Sequence, residues 1–207
     1  MEPLYPDVTV PEFSSANLHN LLDALVDSYE LKGLRVGDSL LPPLSRAELE
    51  RKCRWFPGKL PQEIVSLYAW RGGQANEAWD EDFPFWFRDN SFCSIDRAEH
   101  EYKSMMRYYG IYPEDHELLK FSFPFASFNG GWYVLPTRGQ PYSPNLSAPI
   151  VSVLQGIDIH FFSMEQMVRT CIDWVSHEKY KEGHSMPEDI EMEIWAKHNP
   201  GIFGYGA

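Results

Sequence analysis

Leu18, Leu21, Leu22, Leu25 and Tyr29 recur three or four residues apart, the spacing that puts side chains on one face of a helix. Ser14 or Ser15 precedes the run as a cap, and Gly33 follows it as a stop. After the loop VGDSLLPP, Ser45 and Glu48 form a capping-box pattern. The hydroxyl accepts from a free helix N–H, and the carboxylate returns a bond to the backbone. The spacing predicts a helix from Arg46 to Phe56 that buries Leu49, Cys53 and Phe56 and breaks at Pro57-Gly58. Pro61 suits the first turn of a third helix, where its missing N–H would be unpaired anyway. Ile64, Leu67 and Tyr68 face inward, and Gly72-Gly73 stops the run.

The period then changes. PFWFRDNSFCSI reads as a strand with a turn inside it. Asp96 is placed to cap a helix running to Tyr109, with Gly110 closing it. LLKFSFPFASF, WYVLPT and PIVSVL are short runs rich in aromatic and β-branched residues, and Asn129-Gly130-Gly131 supplies a hairpin turn between the first two. GIDIHFF alternates and reads as one more strand. Ser163 with Gln166 makes a second box; its helix turns Met167, Val168, Cys171 and Val175 inward and runs to about Tyr180. Pro187 opens a last, acidic helix whose Ile190, Ile194 and Trp195 seal the core edge, and Asn199-Pro200-Gly201 ends it. Without regular βαβ alternation, the fold class is α+β. The expectation is an antiparallel sheet of about four to six strands, helices packed on one face, and helices at both ends of the chain.

At 207 residues, 43% of them hydrophobic and 15% aromatic, the chain fills one domain with pieces at its ends. The formal charge of −12 repels nucleic acid phosphates and attracts a basic partner, so direct nucleic acid binding is not expected. Solubility alone is the plainer meaning of such a charge. Cys53, Cys93 and Cys171 are odd in number and widely spaced, which fits a reducing cytoplasm better than a disulfide framework or a zinc site. MEPLYPDVTVPEF lacks the basic and apolar regions of a signal peptide, and no apolar run approaches the roughly 18 residues of a membrane span.

LPPLSRAELE followed by KLPQEIVSLYAWRGG resembles the opening of the SUKH superfamily. FPFASFNGGWYVL is similar to that family's central hairpin, and IVSVLQGIDIHFFSMEQMVRTCIDWV to its last strands and closing helix. Arg71-Gly72 stands where Asn-Gly is usual. The resemblance covers roughly Leu41 to Tyr180, so the chain is expected to hold a SUKH-like α+β domain over 41–180, with an N-terminal helical extension over 1–40 and an acidic C-terminal helix over 181–207, packed on the same domain, outside the resemblance. It also implies a role. SUKH proteins include bacterial immunity proteins that neutralise toxins, often nucleases or nucleic-acid deaminases, and fungal regulators of cell-wall assembly.

The stretch WRGGQANEAWDEDFPFWF holds the candidate chemistry. Glu77, Asp80, Glu81 and Asp82 lack the spacing of a calcium loop, and no histidine stands near them. Adjacent loop carboxylates do not make an acid–base pair, which needs two distinct environments. Beside Trp79 and Trp86 they suit a protein interface, where aromatic anchors sit among charges. A solvated loop is the competing reading. Asp158 and His160, two apart on a strand, share a face and form the best alternative site, for a metal-assisted hydrolase. The expected function is therefore a cytoplasmic, non-enzymatic immunity protein without cofactor or metal. It grips a basic toxin through Glu77, Trp79, Asp80, Glu81, Asp82 and Trp86. A non-inhibitory regulatory or scaffolding module is the alternative. The aromatic content leaves room for a homodimer.

Overall fold

Short polar side chains start most of the helices, and apolar stripes decide where they lie. A computed structural model describes residues 12–75, 87, 90–109, 113–138, 147–154, 156–181, 184 and 186–202. Helix α1 (Ser15–Leu31) is capped by Ser14, whose side chain accepts the N–H of Asn17. A 3₁₀ turn over Val36–Ser39 leads to α2 (Arg46–Lys52). Both halves of the Ser45–Glu48 box are made there, an arrangement worth on the order of 1 kcal/mol. α2 stops at Lys52, short of the expected Phe56, yet Cys53 and Phe56 are still buried by the turns that follow. Helix α3 (Gln62–Trp70) opens after Pro61 and buries Ile64, Leu67 and Tyr68 as the spacing requires.

Gly73, beyond α3, has φ +104°, and a Cβ on it would lie 2.5 Å from the Ser94 backbone. Only glycine satisfies both conditions. The strap behind it is closed by Leu41 N–H on the Gly73 carbonyl and Gln74 N–H on Phe92. Strand β1 (Ser91–Phe92) leads into α4 (Ile95–Tyr108). The cap of α4 is Ser94, not Asp96. Ser94 has the extended backbone a cap needs, whereas Asp96 already lies in the first turn, where its charge suits the positive helix end.

Helix α5 (Pro113–Lys120) takes Leu118–Lys120 out of the strand expected there. An apolar pair fits either period, and Leu119 is drawn against Met105 of α4. Strands β2 (Ser122–Phe128) and β3 (Gly131–Pro136) follow, joined through Asn129 at φ +49° and Gly130 at φ +79°. Two consecutive left-handed residues make the turn whose twist matches a hairpin. After β4 (Ile150–Val153) and β5 (Ile157–Phe161), Ser163 caps α6 (Met164–Ser176) through the Gln166 N–H. α6 ends before Tyr180, and α7 (Glu188–His198) completes the chain.

The class is α+β: among the described residues, seven α-helices and one five-stranded antiparallel sheet, ordered β1-β2-β3-β4-β5. Helices stand at both ends of the chain. Alternation along β3 divides its side chains between two apolar clusters. Tyr133 and Leu135 join the main core with α1, α3 and α6, whereas Trp132 and Val134 meet Met105 and Leu119 of α4 and α5. The expected helical layer is thus joined by a second, smaller one.

Leu18, Leu22 and Leu25 of α1 belong to the same core as the strands, as do Trp195 and Ile202 at the other end. Trp195 donates its indole N–H to the His160 carbonyl, and Asn199 receives the Phe162 N–H. Asp173 of α6 accepts from Lys197 at 2.6 Å and lies 2.8 Å from His198. No described helix is long and apolar enough to cross a membrane.

Candidate functional site

The residues expected to grip a partner, Glu77, Trp79, Asp80, Glu81, Asp82 and Trp86, lie outside the described residues. The chain to either side of them is fixed. Ala75 donates its N–H to Ser39, and Phe87 is fully buried, edge-on to Phe125 and bonded through its backbone to Asn90.

Asp158 and His160 diverge in environment. Asp158 is exposed. His160 is buried, stacked on Tyr133 at 5.3 Å and edge-on to Phe161 at 4.6 Å. Among the described residues, no group of three or more His, Cys, Asp or Glu is placed to hold a metal ion. Cys53, Cys93 and Cys171 are free and buried. Burial pushes the Cys53 and Cys93 thiols up to about 12, so neither is a thiolate at neutral pH.

A denser polar cluster lies where α1, α3 and α6 meet. Ser15 Oγ and Ser66 Oγ are 2.6 Å apart, and His19 Nε2 lies 3.1 Å from Ser66 Oγ. A serine beside an imidazole invites a nucleophile reading. The same Nε2, however, is 2.9 Å from the Ser66 carbonyl oxygen, which can only accept. Nε2 therefore carries the ring proton and donates it. In that tautomer it has no lone pair for the serine's hydrogen, so the pair is not poised for general-base activation.

The neighbouring carboxylates are engaged in the same way. Glu63 Oε1 accepts the Ala148 N–H at 2.8 Å, and Glu165 accepts from Asn17 and from the Ser14 backbone. Burial raises the Glu63 carboxyl above the usual range; the Ala148 bond opposes this, and the Glu165 charge adds to it. One turn along α1, Asp23 receives the Trp70 indole N–H at 2.8 Å. This seam ties helices together.

A more open site lies on the other side of the sheet. Glu101, Ser104 and Tyr108 fall three and four residues apart on α4, and Tyr109 follows at its end. With Gly130 and Trp132 of the β2–β3 hairpin they line an open cleft of about 530 Å³. Trp132 and Glu101 are buried at its floor, where the indole N–H donates to Glu101 Oε2. Arg97 pairs with Glu101 Oε1 at 2.6 Å. Tyr109 meets Trp132 edge-on at 5.9 Å and donates its hydroxyl to the Leu154 carbonyl.

The exposed large apolar side chains among the described residues are Leu31, Tyr108 and Leu154. Tyr108, at 61% exposure, lines this cleft, and Leu154, at 49%, is tied to it through the Tyr109 hydroxyl on its carbonyl. Exposed aromatic surface over a buried carboxylate suits recognition of another molecule more than it suits stability.

No family model matches this chain, and no curated protein matches it. The function must therefore come from the residues themselves. The sequence reading of α4 gave a cap and an end and did not weigh its polar face, so it missed the cleft. The signal was Glu101, Ser104 and Tyr108 on a single face, with a tyrosine where a solvated face would carry a charge.

Proposed function

We propose that this chain is a protein-binding inhibitor of the immunity type, which neutralises a basic toxin, a nuclease or nucleic-acid deaminase, by stoichiometric contact. The observation that carries the reading is the charge of −12, from 30 acidic against 18 basic residues. A toxin that holds phosphates needs basic groups, and an acidic surface complements them. Steering of this kind raises association toward about 10⁸ M⁻¹s⁻¹ at low salt, against about 10⁵–10⁶ for a neutral pair. The element order supports the same reading. A capped helix after Leu-Pro-Pro, a second helix behind Leu60-Pro61, a hairpin around Asn129-Gly130 and a closing helix behind Ser163 follow the order that the SUKH resemblance leads one to expect.

The deciding experiment is co-expression with any toxin candidate found encoded beside this chain's gene, scored by survival and co-purification. Lysine at Glu77, Asp80, Glu81 and Asp82 together is expected to weaken capture while leaving thermal stability nearly unchanged. Undiminished affinity in that quadruple variant removes the acidic segment from the interface. Failure of the unmodified chain to rescue growth or to co-purify rejects the inhibitor reading.

A further inference from the structure

We propose that the cleft between the C-terminal half of α4 and the β2–β3 turn receives a single arginine side chain of a partner protein. The proposal deepens the partner-binding reading above by naming a second contact and its chemistry.

Three features converge on a cation with a flat face. Tyr108, Tyr109 and Trp132 line one cleft; the exposed Tyr108 ring offers the face on which a guanidinium stacks, with half-buried Tyr109 and buried Trp132 behind it. Glu101 supplies a carboxylate at the floor. Arg97 takes one of its oxygens and the Trp132 indole the other. A carboxylate has about four acceptor positions, so capacity remains for one more donor. The cleft also lies at the C-terminal end of a 14-residue helix, where the helix dipole places roughly half a negative charge. Lysine offers the charge without the planar fork, and an uncharged aromatic side chain would make no use of Glu101 or the helix end. Opposing them are Arg97, whose guanidinium already pairs with Glu101, and Arg107, exposed next to Tyr108 in sequence.

The test uses the full chain, labelled with ¹⁵N, and the tripeptide acetyl-Gly-Arg-Gly-amide. A control tripeptide carries citrulline, which keeps the shape and removes the charge. The readout is the indole N–H resonance of Trp132, which reports on its bond to Glu101. The arginine tripeptide should shift it saturably, and the citrulline tripeptide should bind at least about tenfold more weakly. Tyr108→Ala should weaken arginine binding by about tenfold, and Arg107→Gln should tighten it by about twofold. Tyr108 is exposed, so its removal leaves the fold in place, and a thermal melt checks this. Equal binding of the two tripeptides, an unmoved resonance at the highest soluble concentration, or unchanged binding in Tyr108→Ala each overturns the proposal.

The two readings fail separately. Saturable arginine binding without rescue in co-expression rejects the toxin reading and keeps the cleft. Toxin capture without tripeptide binding rejects the cleft and keeps the inhibitor.

Discussion

The seam between α1, α3 and α6 and the cleft beside α4 are built from similar parts. Each sets a carboxylate beside an indole N–H donor at a helix surface, Asp23 with Trp70 in the seam and Glu101 with Trp132 in the cleft, where Arg97 adds a charged partner. In the seam, Glu63, Glu165 and Asp23 each accept from a named donor, and the serines and His19 bond to one another. In the cleft, Glu101 is equally well partnered, but Tyr108, on the same helix face, stands in solvent. The comparison teaches that a cluster of reactive residue types is weaker guidance than what surrounds it. Serine, histidine and glutamate packed between helices are fastened, whereas tyrosine and tryptophan over one carboxylate leave room for a ligand.

Five substitutions break or sharpen this contrast. The largest effect is expected on the packed side, from Gly73→Ala. It forces a Cβ into the Ser94 backbone at a left-handed position and should cost about 3 kcal/mol by chemical denaturation. A variant within about 0.5 kcal/mol of the parent would show that this junction between α3 and α4 yields.

Next is Asp173→Asn, which loosens α7 from α6. Burial alone would raise the Asp173 carboxyl, but the bonds from Lys197 and His198 outweigh it and hold it below the ordinary value of 3.8. The charged form is the one the fold favours. Its contribution is present above pH 3.8 and fades as the pH falls through the lower, folded value. The side chain is half-buried but its partner Lys197 is exposed, so the loss at neutral pH should be about 0.5–1 kcal/mol and should vanish in acid. A deficit that persists in acid would trace the effect to packing rather than charge.

Glu63→Gln runs in the opposite direction. Burial raises this carboxyl, so the fold favours its protonated form, and the stability gained from protonation is lost as pH rises above the ordinary value of 4.5. Glutamine keeps an oxygen for the Ala148 N–H and carries no charge. Its melting temperature should exceed the parent's at neutral pH, and the gap should close below pH 4.5. A variant less stable than the parent at pH 7 would show that the charge itself is needed in the seam.

The smallest stability effect belongs to the cleft. Tyr108→Ala and Leu154→Ala should each stay within about 0.5 kcal/mol of the parent, because neither side chain is buried. A loss above about 2 kcal/mol in either would mean that these side chains support the fold, and the contrast with the seam would disappear.

Much of the architecture was readable in advance, for local reasons. Ser14, Ser45 and Ser163 start helices because a hydroxyl beside free N–H groups stabilises that backbone whatever the chain does later. Asn129-Gly130 turns because few other residues adopt two successive left-handed conformations. Periodicity placed Leu18, Leu22, Leu25, Ile64, Leu67, Met167 and Val168 in the core. Leu118 and Leu119 were misplaced because an apolar pair looks alike in a strand or a helix.

What the amino-acid order determined by itself was class, caps, turns and the greater part of the core, since these rest on neighbours within a few residues. What only the tertiary structure decided was companionship across the fold. It set His19 against the Ser66 carbonyl, so that its proton is committed, and it buried His160 while leaving Asp158 in water. It also brought Tyr108 and Glu101 over Trp132, 24 residues or more along the chain. Such pairings depend on how strands and helices pack, and no local spacing encodes them.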